Sequence, residues 1–528
     1  MLKNSILKMI VTFLVLSSLS LDLFAKRKKQ YFHEASFEVD FQVTHQIIPF
    51  EILGEENKKI VIIGVENNIK QEEEKIGNNN AIVAIYKKKN DGLTYELQNK
   101  IAFPHSTIAF DILKLQSEKN VILLLSSTQL STLDIETGNI DKLADIDSIY
   151  LQDKPQFIAR KKLVKDINGD GIDDIVIPSF KYLNVLVQHK EAKELLDKKI
   201  IDDFSISQLP ISAFVDMSSS QISFSEQNYF SQDVNFDGLN DFLFVENGKL
   251  TGFMQKEQGL FSESSTLIEL PFEFSGLPWW LVRGADGETA DQSDLKHRLL
   301  EDIQDINGDG VLDIMVKKTV SSGVLDREIS YDFFFGFEKN GVLSFDLEAN
   351  TNISAEGTLS NLKLIDMNLD NKKEVLVSSF DIGVSQIIGA LLSGSIDQDV
   401  FVFSLDENNS FGEEPIFEGE VSLSFSLSSG QSGQPVILTM DSDGNKRKDI
   451  ILSVGEKRLN VFHGLGKTDE SEKLFISKSK RHKTKLPADG NMVISNDLNQ
   501  DGKDEIIMRY GKQDDIELKN KIVILTAK

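Results

Sequence analysis

The chain has no cysteine among its 528 residues, only 10 Pro, two Trp and seven His, and 57 basic side chains against 83 acidic ones. Without Cys there is no disulfide, no thiolate nucleophile and no Cys-ligated metal. A formal net charge of −26 argues for ion binding and against nucleic acid, for which a basic face would be expected. The seven His (His33, His45, His105, His189, His297, His463, His482) never fall in an HxH or HExxH spacing. A GxSxG elbow, a P-loop and a GxGxxG turn are missing as well, so no catalytic motif is legible. After the amino-terminal segment no apolar run is long enough to span a bilayer. That segment, residues 1–25, carries Lys3 and Lys8, then the apolar run Met9 to Leu21, then Ala25 at a cut site. Such a layout is that of a secretory signal, with an uncleaved anchor as its alternative, and it predicts an exported protein: periplasmic, secreted or at the cell surface.

What the chain does have is one nine-residue phrase written six times. The copies begin at Asp166, Asp233, Asp305, Asp366, Asp441 and Asp497 and read DINGDGIDD, DVNFDGLND, DINGDGVLD, DMNLDNKKE, DSDGNKRKD and DLNQDGKDE. Side chains at the first, third and fifth positions of a tight loop can converge, and an acid at the ninth closes the shell. Oxygen ligands in this number suit calcium. The candidate metal ligands are therefore Asp166, Asn168, Asp170 and Asp174; Asp233, Asn235, Asp237 and Asp241; Asp305, Asn307, Asp309 and Asp313; Asp366, Asn368, Asp370 and Glu374; Asp441, Asp443, Asn445 and Asp449; and Asp497, Asn499, Asp501 and Glu505. Up to six structural calcium ions are expected. Gly171, Gly238, Gly310 and Gly502 at the sixth position permit a left-handed turn, whereas Asn371 and Lys446 hold it in the other two copies. Lys tolerates that conformation less well than Asn, which makes the loop at Asp441 the weakest of the six candidates. An EF-hand is excluded, because its twelfth position needs a chelating Glu and here it is Ile177, Phe244, Val316, Val377, Leu452 or Met508.

Each phrase runs directly into an apolar, strand-like segment (IVIPSF, FLFVEN, IMVKK, VLVSSF, IILSVG, IIMRYG). Two more such segments lie upstream at Ile60 and Val121, where the loop positions hold Glu51, Leu53, Glu55 and Lys59, or Ile112, Lys114, Gln116 and Asn120. These repeats keep the strand and have lost the ligands. Spaced at roughly sixty residues, the eight segments suit a four-stranded unit with loops. Further apolar runs and polar turns follow each one, as in LNVFHGLGKTDESEKLF, the pattern of a β-meander. The last unit has room for only three strands, and the alternating stretch Phe37 to Val43 (FEVDFQV) is expected to complete it.

The loops, with turns such as YDFFFGFEKNGVLSF, resemble the calcium loops of FG-GAP or VCBS repeats, the family that includes the integrin alpha-subunit propeller. The resemblance spans residues 35–528 and implies an all-β fold: one β-propeller domain of four-stranded antiparallel blades, its ring closed by the amino-terminal strand. Eight blades are expected, seven if one upstream segment is a decoration. It also implies that the loops lie between the first two strands of a blade and that the ions are structural.

For a ligand surface the best candidate is the long insertion 271–300, with both Trp, Trp279 and Trp280, and Arg283, Asp286 and Glu288 nearby. Read as a strand, it would point the two indoles to opposite sides, one inward and one toward a sugar ring or a protein. The leading functional expectation is a non-catalytic binding or adhesion scaffold for a protein or glycan. The alternative is a secreted propeller enzyme acting on polysaccharide or lipid. A second insertion, Lys190 to Ser207, is expected to hold a short helix.

Overall fold

The computed structural model describes residues 30–66, 81–89, 94–151, 157–189, 200–201, 204–216, 222–257, 259–323, 326–354, 358–380, 389, 391–426, 431–465, 474–476 and 478–528. The expected secretory signal, residues 1–25, and most of the expected helix in Lys190 to Ser207 lie outside these residues; the strand Phe204–Leu209 begins within the latter. No helix among the described residues is long and apolar enough to cross a membrane.

The fold is all-β and overwhelmingly antiparallel. In each repeat the apolar segment after the loop forms the second strand of a meander: Lys59–Val65, Asn120–Leu125, Asp174–Pro178, Asp241–Glu246, Asp313–Gly323, Glu374–Phe380, Asp449–Ser453 and Glu505–Arg509. A four-stranded and a five-stranded group merge into one nine-stranded sheet through a single parallel pairing, Ile329 with Thr358.

Period-2 geometry explains why these strands are apolar at every position rather than at alternate ones. Successive side chains on a strand point to opposite faces, and here both faces are buried. Val61 and Ile63 enter one cluster with Ile122 and Leu124 of the next sheet, while Ile60 and Ile62 enter another. Val121, Leu123 and Leu125 meet Ile175 and Ile177, and Val176 meets Phe242 and Phe244. The same division continues through Leu243 against Ile314 and Val316, Met315 against Val375 and Val377, Leu376 against Ile450 and Leu452, and Ile451 against Ile506 and Met508. Ile507 then packs with Ile60 and Ile62, so the last sheet meets the first. Each such side chain, moved fully out of water, contributes about 1.5–3 kcal/mol.

The amino-terminal strand does complete the last sheet, in a different place from the expected one. Phe32–Glu38 pairs antiparallel with Lys521–Ala527, from Phe32 opposite Ala527 to Glu38 opposite Lys521. Only Phe37 and Glu38 of the stretch Phe37 to Val43 belong to it. The chain then bends at Asp40, and Gln42–Val43 joins the first sheet. The alternation that suggested one strand is real, because Val39, Phe41 and Val43 are all buried in one cluster, but it belongs to the crossing between two sheets.

Candidate functional site

All six nine-residue loops connect the first and second strands of a sheet, and the ninth residue opens the second strand. The second position anchors the loop: Ile167, Val234, Ile306, Met367 and Leu498 are buried between sheets, and only Ser442 is polar there. Above that anchor the side chains lock the backbone. The first-position carboxylate accepts from the N–H groups of the fourth and sixth residues, as in Asp305 with Gly308 (2.7 Å) and Gly310 (2.9 Å). The third accepts from the fifth (Asp309 N–H to Asn307 Oδ1, 3.0 Å), and the fifth from the seventh (Val311 N–H to Asp309 Oδ1, 2.8 Å).

Two consequences differ from the sequence reading. The sixth residue is left-handed in every copy, with φ of 82, 82, 84, 68, 68 and 82° at Gly171, Gly238, Gly310, Asn371, Lys446 and Gly502. Lys446 therefore gives the loop at Asp441 the same backbone as the others, whatever the cost. The fourth residue is left-handed too, at Gly169, Phe236, Gly308, Leu369, Gly444 and Gln500, which the sequence hid because Phe, Leu and Gln are not turn residues. A Cβ on Gly310 would meet nothing within 4 Å, so only its φ matters. Gly310→Ala is expected to lower stability, and Lys446→Gly to raise it, by about 1 kcal/mol each in urea titrations. Equal midpoints for all three chains would refute this reading of the turn.

The ninth acid sits deepest. Asp174, Asp241, Asp313, Glu374 and Asp449 are fully buried and Glu505 nearly so. Asp313 holds the N–H groups of Ile306 (2.8 Å) and Asn307 (3.1 Å) with one oxygen and that of Gly336 (3.0 Å) with the other. It thereby ties the loop to the end of the third strand. Burial pushes its carboxyl up to about 7, against those hydrogen bonds and with the help of the Asp309 charge. Burial likewise carries Asp174, Glu374 and Glu505 to about 7 and Asp241 to about 6, and the loop acids facing them add to the rise. A divalent cation would reverse the sign of that repulsion, since an opposite charge within a few ångströms favours the ionised form. In this sense the donor set fits a hard cation. Among the described residues, however, only Asp443, Asp449 and His463 bring three acidic or histidine ligand atoms within 4.8 Å of one another. The acids of the other five loops do not meet so closely.

The two upstream repeats have diverged by different routes. In the first, Lys59 occupies the ninth position, 3% exposed, and its ammonium lies 3.0 Å from Glu55 and 3.5 Å from Glu136. A built-in cation stands where an acid stands elsewhere. In the second, Ile112 and Lys114 belong to the strand Ala109–Lys114 rather than to a loop, and the connection has shrunk to Leu115 through Lys119.

The tryptophans are not on a strand. Pro278 starts a 3-10 turn, Trp279–Leu281, and the two indoles meet edge to face at 5.6 Å. Trp279 is half-buried with the Arg327 guanidinium 4.9 Å above its ring, and Trp280 is 52% exposed. Arg283 braces the turn by donating to the carbonyls of Trp280 (2.6 Å) and Val282 (3.2 Å). Beside the turn lies a cleft of about 710 Å³ with Pro278, Leu281 and Val282 as its apolar wall and Glu226, Asn228 and Glu246 among its polar groups. Tyr229–Gln232 runs from this cleft to the loop at Asp233, and Asp241–Glu246 runs back. The cleft and the Asp-rich loops therefore occupy opposite ends of the sheet.

No family model matches the chain, and no curated protein matches it. Solved structures similar to it include an Agrocybe aegerita lectin recognising non-reducing terminal N-acetylglucosamine (12% identity, 73% of this chain and 89% of that one, TM-score 0.34). Others are the WD40 domain of SCAP from fission yeast (13%, 94% and 98%, TM-score 0.32) and the V. cholerae biofilm matrix protein Bap1 (9%, 95% and 92%, TM-score 0.26). Likeness at this level carries no argument about ligand or mechanism, and the fold rests on the chain's own sheets and clusters.

Proposed function

We propose that the chain is an exported, calcium-stabilised β-propeller of eight four-stranded blades that presents a loop-lined cleft for a glycan or protein ligand and performs no chemistry. The observation that carries it is the separation just described: Asp-rich loops at one end of the sheets, a cleft with an aromatic turn at the other. The cyclic succession of apolar clusters supports eight blades, because each cluster joins one sheet to the next and the last returns to the first. A propeller hides its sheet edges in this way. Calcium at the loops would fix the connection between the first and second strands of six blades, six ions at most, and its ligands would be the oxygens at the first, third, fifth and ninth positions.

The exposed Trp280 indole, on a turn whose Pro278, Leu281 and Val282 wall a cleft holding Glu226 and Asn228, suits a carbohydrate, whose C–H faces stack on aromatic rings while its hydroxyls take hydrogen bonds. A glycan array probed with the calcium-loaded protein should return a small set of ligands, and binding should quench indole fluorescence. Trp280→Ala should weaken the best of them tenfold or more without changing the unfolding midpoint. Undiminished affinity in that variant would remove the Trp280 turn as part of the binding surface.

A further inference from the structure

The loop at Asp441 differs from its five counterparts in ways that converge on one point. Its formal charge is zero, three acids (Asp441, Asp443, Asp449) against three bases (Lys446, Arg447, Lys448), whereas the loop at Asp305 has three acids and no base. Long-range attraction for a cation is therefore cancelled, and anything held here must be held by the ligand bonds themselves. The loop has also acquired a nitrogen donor. His463, at the end of the strand Arg458–Phe462, is 3% exposed, and its Nδ1 lies 3.1 Å from Asp449 Oδ2 and 3.4 Å from Asp443 Oδ2. These three ligand atoms lie within 4.8 Å of one another, which no three acids of the other five loops do among the described residues.

Around these ligands stands a set of supporting contacts that the other loops lack. Ser442 replaces the apolar second residue and donates its hydroxyl to Asp449 Oδ2, and Tyr31 lies 3.1 Å from the Ser442 oxygen. The Tyr31 ring meets the imidazole edge to face at 5.4 Å. Contacts of this kind fix the rotamers of metal-binding groups. Asp443 is exposed, which leaves the site open on one side for exchange or for a water ligand.

We infer that this loop is a site for one divalent ion of the zinc class, held by Asp443, Asp449 and the Nδ1 of His463, in place of the calcium assigned above to the loop at Asp441. Bonds of about 2.0–2.1 Å in tetrahedral array place ligand atoms about 3.3–3.4 Å apart, close to the two distances observed. Imidazole nitrogen favours zinc-like ions over calcium, whose ligands are oxygens. The inference depends on three side chains alone and stands whether or not the other loops take calcium.

The test is a calorimetric zinc titration of the chelator-treated chain in millimolar calcium, paired with the visible spectrum of the cobalt(II) form. One tight equivalent is expected, with cobalt bands characteristic of nitrogen and oxygen ligation. His463→Gln should weaken that equivalent a hundredfold or more and abolish the bands. Asp443→Asn, a near-isosteric change at an exposed position, should weaken it at least tenfold. The calcium-induced rise in unfolding temperature should persist in both variants. Zinc isotherms that are identical in the parent and Asp443→Asn, or the lack of any tight equivalent in the parent, would overturn the site and leave His463 as an internal partner of Asp449. A zinc equivalent without a calcium-induced rise would instead uphold this site and remove the calcium reading of the other loops.

Discussion

Adding millimolar calcium to the chelator-treated protein is expected to raise its unfolding temperature by on the order of 12 °C through the five loops other than that at Asp441. An ion that binds only the folded chain stabilises it by about 2.7 kcal/mol at a hundredfold excess over its Kd. An unfolding entropy of about 2 cal/mol/K per residue gives a chain of this length roughly 1 kcal/mol/K, so each site adds about 2–3 °C. The buried ninth acids give the experiment a second axis. Their folded-state values, about 7 for Asp174, Asp313, Glu374 and Glu505, lie above those of the unfolded chain. For an acid raised in this way, stability in the metal-free protein is fully present below the unfolded value near 4 and is lost as pH rises through about 7. Calcium binding requires the ionised form and so follows the opposite trend. The gap between the calcium and chelator curves should widen from pH 5 to pH 8. A calorimetric scan showing no calcium shift at pH 8 would reduce the loops to turns.

The strands and the loop positions were legible in the sequence because both signals are local. A strand buried on both faces writes an unbroken apolar run, as in Asn120–Leu125, and a loop that ties each carboxylate to N–H groups two to five residues ahead writes a fixed spacing. What the sequence concealed depends on distance along the chain or on backbone alone. His463 lies outside the nine-residue phrase and reaches Asp449 only because the third strand returns beside the second. Lys59 is visible as a lost acid, but its contact with Glu136 needs the neighbouring sheet. The misplaced Trp pair has a simpler cause: alternation was assumed across a segment where Pro278 starts a 3-10 turn. Likewise, Phe37 to Val43 alternates through a bend, since alternate burial needs only a shared cluster and not a continuous strand.

Removing residues 30–38 is the change expected to cost most among those that leave every loop intact. The deletion strips a paired strand from Lys521–Ala527 along the whole register from Phe32 to Glu38. It also takes Phe32, 1% exposed, from the cluster that contains Val523, Leu525 and Met508, and Phe37 from its contact with the cluster around Ile522. Loss of one buried Phe alone costs about 3–5 kcal/mol, so Phe32→Ala measures the smaller part of the effect. The larger part is topological. With its partner gone, KIVILTA becomes an exposed apolar edge, the kind of strand that recruits another chain. The truncated protein should unfold at least 10 °C lower and elute from a sizing column as oligomers, and a synthetic peptide spanning residues 30–41 should restore the monomer by supplying the strand in trans. Calcium should not substitute for the peptide, because the loop at Asp497 joins the other two strands of that sheet and leaves its outer edge untouched. A truncated chain that remains monomeric with an unchanged midpoint would show that the sheet is closed by something other than its amino-terminal strand.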